Sequence, residues 1–202
     1  MSVTLVVLSR YPDLFNEFAQ NVYTFAPEVP KILIRSGKEP GFMWCDPTWT
    51  LLHGPEPFVY SRSVNFGWEA AKDADVLLCG DDIRFETPFV KELQEVAYSD
   101  PKIGFAVPEL GGQSAFVCAY IKRQLINEVG PMDERFDGYG YQDNDYYRRF
   151  EALGWKTKPT TAVKAKHSGG TSFYRLAQEE GGESIQAQCD RMKKLYEEKW
   201  GV

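Results

Sequence analysis

The chain has 202 residues, of which 43% are hydrophobic and 14% aromatic, a composition that suits one sizeable core and excludes a disordered tail. Its net charge of -6 and its pI of 5.1 argue against a protein that holds nucleic acid through a broad basic face. No apolar run reaches the length of a membrane span, and Thr4–Leu8 is too short for a signal sequence.

The cysteines are scattered along the sequence at Cys45, Cys79, Cys118 and Cys189. They form no CxxC pair, and no histidine stands at metal-ligand spacing from them. Two of them fall inside apolar, strand-like runs. We therefore predict reduced, buried thiols and a cytoplasmic protein.

Short apolar runs predict strands that alternate with helices. The predicted strands are Thr4–Leu8, Lys31–Ile34, Phe58–Tyr60, Val76–Cys79, Ile103–Val107, Phe116–Ile121 and a strand-like Thr161–Ala165. The alternation indicates an α/β layer with a largely parallel sheet.

Amphipathic stripes predict helices over Asp13–Phe25, after Thr87-Pro88, over Asn144–Leu153 and over Glu183–Trp200. Thr87 is expected to be an N-cap with Pro88 at the first helical position, and Gly154 is expected to end the third helix.

Two acids, Asp81 and Asp82, directly follow the predicted strand Val76–Cys79. In parallel α/β sheets, ligands collect at the carboxyl ends of the strands. Because side chains alternate at a strand end, the two acids should face different sides of the chain, so that one can reach a divalent cation. The dipeptide alone is more typical of a solvated turn between a strand and a helix.

A second polar segment carries Gly138 and Gly140, followed by Asp143 and Asp145 at the start of a predicted helix. The glycines allow close approach of a ligand. Acids at a helix start complement the helix dipole, which stabilises the helix by about 1 kcal/mol, and the same position holds a general base rigidly. A third segment places His167 before a glycine-rich loop, as a structural residue or as a ligand.

Together these segments resemble the GT-A glycosyltransferases, in particular those of family 2. The resemblance covers Val3 to Ser172 and is most specific at Gly130–Arg149, which reads GPMDERFDGYGYQDNDYYRR. Ala-Leu-Gly-Trp-Lys and His-Ser-Gly-Gly follow in the same order as in the family. The resemblance implies one Rossmann-like GT-A domain over residues 1–202, with a mixed, mostly parallel sheet flanked by helices and a final helix at about 183–200.

The resemblance also implies a function, namely metal-dependent, inverting transfer of a sugar from a nucleotide-sugar donor to an acceptor hydroxyl. Mn²⁺ or Mg²⁺ would be held by Asp82 and His167, and Asp143 would be the general base. A UDP-sugar is the favoured donor. The expected donor-site residues are Ser9, Arg10, Arg35, Asn65, Gly67 and Asp81. Ordering of Gly138–Tyr141 and Gly169–Phe173 is expected to exclude water.

Three positions depart from the family pattern. Gly80 stands where a strict DxD motif has its first acid, Gln142 replaces a common glutamate, and Arg35-Ser36 stands where many relatives have a base-reading aspartate. A catalytically inactive nucleotide-sugar-binding relative therefore stays open, as does a nucleotidyltransferase-like enzyme, although the sequence has no lysine-containing phosphate loop near its start. The acceptor is unidentified, and the acidic balance disfavours a nucleic acid.

Overall fold

The computed structural model describes residues 2–37, 41, 48–110, 115–168, 175, 176, 178 and 183–202. The strands in this part of the chain are β1 (Val3–Ser9), β2 (Lys31–Arg35), β3 (Trp49–His53), β4 (Asp75–Gly80), β5 (Ile83–Phe85), β6 (Ile103–Pro108), β7 (Cys118–Ile121), β8 (Lys156–Thr160) and β9 (Ala165–His167). The helices are α1 (Pro12–Phe25), α2 (Tyr60–Ala70), α3 (Val90–Tyr98), α4 (Arg123–Val129), α5 (Gln142–Ala152) and α6 (Ile185–Trp200).

A seven-stranded sheet in the order β3-β2-β1-β4-β7-β6-β8 forms the centre of the fold. Neighbouring strands are parallel except at β7, which runs antiparallel to both β4 and β6. β5 and β9 form a separate antiparallel pair. The predicted mixed, mostly parallel sheet is thereby confirmed.

Helices cover both faces of this sheet. Alternate residues of β1 enter opposite cores, with Val6 in the core beneath α2, α4 and α5 and Val7 in the core beneath α1 and α3. A strand buried on both faces has to be apolar throughout, which explains the run Thr4–Leu8. None of the helices in the described segments combines the length and apolar character that a bilayer crossing needs.

The order of the strands reverses at β1. The chain passes from β1 to β2 on one side, whereas β4 lies on the other side of β1. Such a reversal opens a crevice outside the carboxyl ends of the two central strands, here at Ser9 and Gly80.

The predicted strand Phe58–Tyr60 is wrong, because Tyr60 is the first residue of α2. Val64, Trp68 and Ala71 follow Tyr60 at helical spacing and lie in the core. A run of only three apolar residues does not distinguish a strand from the first residues of a buried helix.

Two other boundaries also differ from the predictions. Thr87 does not cap α3, which begins at Val90; its hydroxyl accepts a hydrogen bond from the N–H of Lys164, and the neighbouring Phe89 stacks on Phe85. The strand expected at Thr161–Ala165 instead covers Ala165–His167, because this segment pairs with β5.

The buried thiols Cys79 and Cys118 face each other across β4 and β7, with their sulfur atoms 3.6 Å apart in a thiol hydrogen bond and with no disulfide between them. Cys189 is a half-buried free thiol of α6. The prediction of free thiols is confirmed for these three, whereas Cys45 lies outside the described residues.

Candidate active site

The carboxyl ends of β1, β2 and β4 meet at the crevice. The Ser9 hydroxyl donates a 2.6 Å hydrogen bond to Oδ2 of Asp81, and both residues are buried. Ser9 also pairs in register with Arg35, the last residue of β2. The structure thus brings together three of the residues predicted for the donor site.

Two arginines contact the segments that follow β1 and β2. The side chain of Arg10 passes over Gly37, where an added Cβ would lie 3.1 Å from Arg10 Cγ. Arg175 donates a 2.7 Å hydrogen bond to Oδ2 of Asp13, and its guanidinium lies 5.3 Å from the centre of the Tyr11 ring. Guanidinium groups bind phosphate oxygens well, so these two arginines suit a diphosphate ligand.

The predicted metal ligands lie next to each other because β5 pairs with β9. Oδ2 of Asp82 is 3.2 Å from Nε2 of His167, and their side chains are 8% and 11% exposed. The N–H of Ser168 donates to the main-chain oxygen of Asp82, which fixes the turn after β4 against the end of β9.

The separation between Asp82 and His167 fits a shared metal ion. Two adjacent ligands, each about 2.1 Å from an octahedral ion, lie about 3.0 Å apart. An imidazole nitrogen beside a carboxylate favours a transition-metal ion such as Mn²⁺ over Mg²⁺. The described residues contain no group of three or more His, Cys, Asp or Glu side chains that could hold a metal, so phosphate oxygens and water would have to complete the coordination.

Arg84 fixes the turn that carries both acids, a role that the sequence reasoning missed. Its guanidinium donates to the main-chain oxygens of Asp81 and Ile83, each at 2.8 Å, and pairs with Glu17 at 2.8 Å. The sequence feature that could have indicated this role is the position of Arg84, two residues after Asp82. Gly80 also matters to the turn, because a Cβ at this residue would lie 2.8 Å from Oδ1 of Asp82.

Asp143 stands in the first turn of α5, as predicted. Tyr141 precedes the helix in the left-handed conformation at φ 67°, and Oδ1 of Asp143 accepts a 2.9 Å hydrogen bond from the N–H of Asn144. Burial raises the pKa of the nearby Tyr60, and the negative charges of Asp143 and Asp82 raise it further. The hydroxyl of Tyr60 donates a 3.1 Å hydrogen bond to the main-chain oxygen of Phe116.

Asp145 is fully buried, and its carboxylate bonds side chains of α5 and α6. Its Oδ2 accepts a 3.1 Å hydrogen bond from Arg149, as expected for an i, i+4 pair, and Arg149 also donates to the main-chain oxygen of Pro131. Arg148 instead lies over the ring of Trp200, with its guanidinium carbon 4.6 Å from the ring centre.

Asn65 and Gly67, both expected at the donor site, lie in the middle of α2, which begins at Tyr60. The side-chain amide of Asn65 accepts a 2.8 Å hydrogen bond from the N–H of Met132 and donates a 3.0 Å hydrogen bond to the main-chain oxygen of the same residue. It also donates to the carboxylate of Glu134. A Cβ at Gly67 would lie 2.6 Å from Cγ1 of Val6, so glycine lets α2 pack closely on β1.

The glycine loop at 138–141 packs against α6. The N–H of Gly138 donates to the sulfur of Met192 at 3.3 Å, and a Cβ at Gly140 would lie 3.5 Å from the sulfur of Cys189. Gly140 has φ 89°, a conformation that glycine adopts without strain. The other loop expected to exclude water, Gly169–Phe173, lies outside the described residues.

The chain has the GT-A fold, which solved glycosyltransferase structures share. No protein-family model and no curated protein matches the sequence. Among solved structures, GalNAc-T7 with UDP, GalNAc and Mn²⁺ is similar at a TM-score of 0.72 and 10% identity, over 83% of this chain. The match spans only 44% of the GalNAc-T7 chain.

Two further structures are similar. The mannosyltransferase PcManGT from Pyrobaculum calidifontis, in complex with GDP-Man and Mn²⁺, has a TM-score of 0.66 and 14% identity, over 96% of this chain and 69% of its own. The catalytic domain of Drosophila beta-1,4-galactosyltransferase 7, in complex with xylobiose, has a TM-score of 0.58 and 14% identity, over 83% of this chain and 68% of its own. At these identities, the likeness establishes the fold.

Proposed function

We propose that this protein transfers a sugar from a nucleotide-sugar donor, with a UDP-sugar as first choice, to an acceptor hydroxyl. The observation that carries the proposal is the 3.2 Å approach of Asp82 to His167. This pair stands directly after a central strand, beside the reversal of strand order where α/β sheets bind ligands. Complexes of similar fold with UDP or GDP-Man and Mn²⁺ support a nucleotide-sugar donor and a divalent ion.

Asp82 and His167 would hold the divalent cation, Mn²⁺ or Mg²⁺, through one carboxylate oxygen and Nε2. A cation held there would neutralise the negative charge that develops on the departing diphosphate. Arg84 holds the turn so that the carboxylate of Asp82 stays directed at His167.

The donor would lie over the ends of β1, β2 and β4. Asp81, fixed by Ser9, would accept hydrogen bonds from ribose hydroxyls, while Arg10 and Arg35 would line the nucleotide side. Asn65 and Gly67 would support the donor site indirectly. Asn65 would hold the segment at Met132 in place, and Gly67 would let α2 pack closely on β1.

Asp143 would accept the proton of the acceptor hydroxyl as its oxygen attacks the anomeric carbon. A single displacement of this kind inverts the configuration of the sugar and passes through an oxocarbenium-like transition state. The first turn of α5 provides a rigid mount for the base because its neighbour Asp145 is buried and tightly bonded.

The test is a screen of UDP-, GDP-, CMP- and dTDP-sugars for hydrolysis and for transfer to a panel of saccharides, with Mn²⁺ or with EDTA. The proposal expects metal-dependent release of the nucleotide from at least one donor, and an inverted anomer in the NMR spectrum of the product. Metal-dependent binding without turnover of any donor would instead identify an inactive binding relative. Release of pyrophosphate from a nucleoside triphosphate would identify a nucleotidyltransferase, and a retained anomer would refute the single displacement.

A further inference from the structure

The last turn of α6 reaches the buried acid next to the proposed base. Nε1 of Trp200 donates a 3.0 Å hydrogen bond to Oδ1 of Asp145, and the ammonium of Lys199 lies 2.6 Å from the same oxygen. Asp145 is 0% exposed, so its charge is stabilised by protein partners and not by water.

Lys199 also connects α6 to the segment before the glycine loop. Its ammonium donates a 2.8 Å hydrogen bond to Oδ2 of Asp133, a residue that Arg135 also binds. The lysine side chain is only 21% exposed. One ammonium group thus joins the residues that flank the glycine loop on both sides, Asp133 before it and Asp145 after it.

The rest of α6 covers the loop between these two acids. Arg191 forms ion pairs with Asp137 and Glu183, and the rings of Tyr196 and Tyr141 lie 5.4 Å apart. Tyr141 is the left-handed residue immediately before α5, so its position determines where the first turn of that helix begins.

We propose that Lys199 and Trp200 are positioning residues for Asp143, because they anchor Asp145 and thereby fix the first turn of α5 over the donor. This inference rests on the proposed base, but it assigns a role to a helix that contributes no side chain to the metal pair or to the strand ends. Displacement of a catalytic group by about 1 Å lowers turnover by up to about 100-fold, so a small loosening at this anchor is measurable.

The first test uses Lys199→Met and Trp200→Phe. Trp200→Phe keeps an aromatic ring for Arg148, while it removes the N–H that bonds Asp145 together with part of the indole. We expect kcat to fall about 10- to 100-fold in each variant, while KM for the donor and the Mn²⁺-dependent rise in melting temperature caused by the nucleoside diphosphate stay unchanged. Lys199→Arg, which restores a cation, should recover part of kcat.

Lys194→Met is the matched control, because it removes an ammonium from the same helix at an exposed pair with Glu198. It should leave kcat unchanged. The proposal is overturned if Lys199→Met and Lys194→Met behave alike, or if KM for the donor changes in place of kcat.

A second readout does not depend on turnover. Amide hydrogen exchange in Lys199→Met should rise in peptides that cover residues 138–147 and stay unchanged in β1 and β4. If the wild-type protein turns over no donor, the proposed function fails, and this exchange pattern still tests the anchor. Unchanged exchange at 138–147 would refute the anchoring role.

Discussion

The hydroxyl of Ser9 donates to the carboxylate of Asp81 at 2.6 Å, although the two residues are 72 positions apart in the sequence. The bond joins the ends of β1 and β4 at the reversal of strand order. One oxygen of Asp81 is therefore committed to the fold, while the adjacent Asp82 turns to His167. The two neighbouring acids thus differ in their partners, as the alternation at a strand end predicts.

Replacement of Asp82 by Asn should abolish the dependence of nucleotide binding on metal, because the amide carries no charge for the cation. A nucleoside diphosphate present at 100 times its Kd should stabilise the wild-type protein by about 2.7 kcal/mol when Mn²⁺ is added. Thermal melting with and without Mn²⁺ measures this difference. Glu86→Gln, at the exposed pair with Lys166 near the same strands, is the control and should melt like the wild type. A normal Mn²⁺-dependent shift in Asp82→Asn would rule out the metal role.

Asp143→Asn should bind donor and metal normally, while kcat falls about 10²–10⁴-fold, the usual contribution of a positioned base. Asp145→Asn should lower stability by about 1.5–3 kcal/mol, because it weakens hydrogen bonds from charged partners, and should lower kcat by no more than about 100-fold, because it loosens the anchor of α5 without removing the base. Urea unfolding and turnover at saturating donor, measured on both variants, separate the two roles. If Asp145→Asn is stable but inactive and Asp143→Asn is active, the assignment of the base is reversed.

Gly67→Ala separates packing from donor binding in the middle of α2. Alanine in a helix gains about 1 kcal/mol over glycine from intrinsic propensity. The added Cβ, however, would lie 2.6 Å from Val6, and overpacking of this kind costs about 1–3 kcal/mol, so we expect net destabilisation. Denaturant unfolding measures the change, with Glu69→Ala on the exposed face of the same helix as the control. A variant that keeps full stability but loses nucleotide affinity would show that Gly67 acts directly at the donor.

The stability of the fold should depend on pH through Asp133. Its hydrogen bonds from Arg135, and then from Lys199, hold the pKa of this carboxyl well below its usual range. Because the folded pKa is the lower one, the ionised form stabilises the native state. That stabilisation is complete above the unfolded pKa of about 3.9 and is lost as the pH falls towards the folded value.

Urea unfolding measured between about pH 3 and pH 6 tests this effect, because that range spans the unfolded pKa of the Asp133 carboxyl. Asp133→Asn should flatten the decline of unfolding free energy on the acidic side, whereas Glu198→Gln, at an exposed and solvent-screened pair, should leave it unchanged. Equal acid sensitivity in Asp133→Asn and the wild type would contradict the prediction.

The central strands could be predicted from the sequence and the outer strands could not. β1 and β4 are buried on both faces and therefore read as continuous apolar runs. The edge strands β3 and β8 are partly exposed and carry mixed or charged residues, with Pro159 in β8, so their sequences show no strand pattern.

Within the candidate site, the acids at a strand end were predictable because their position depends only on local pattern. The contacts made by Lys199 and Trp200 were not, since they depend on where α6 docks, and an amphipathic stripe does not specify its partner. Asn65 shows the same limit, because its three hydrogen bonds reach residues far along the chain at Met132 and Glu134.

Gly80 and Asp82 are coupled through space. A side chain at residue 80 would meet Oδ1 of Asp82, whose carboxylate is confined beside His167. An acid placed at residue 80 by Gly80→Asp, as in a strict DxD motif, would therefore shift the carboxylate of Asp82. A change at residue 80 is thus also a change in how Asp82 meets His167, although residue 80 itself belongs to neither partner of that pair.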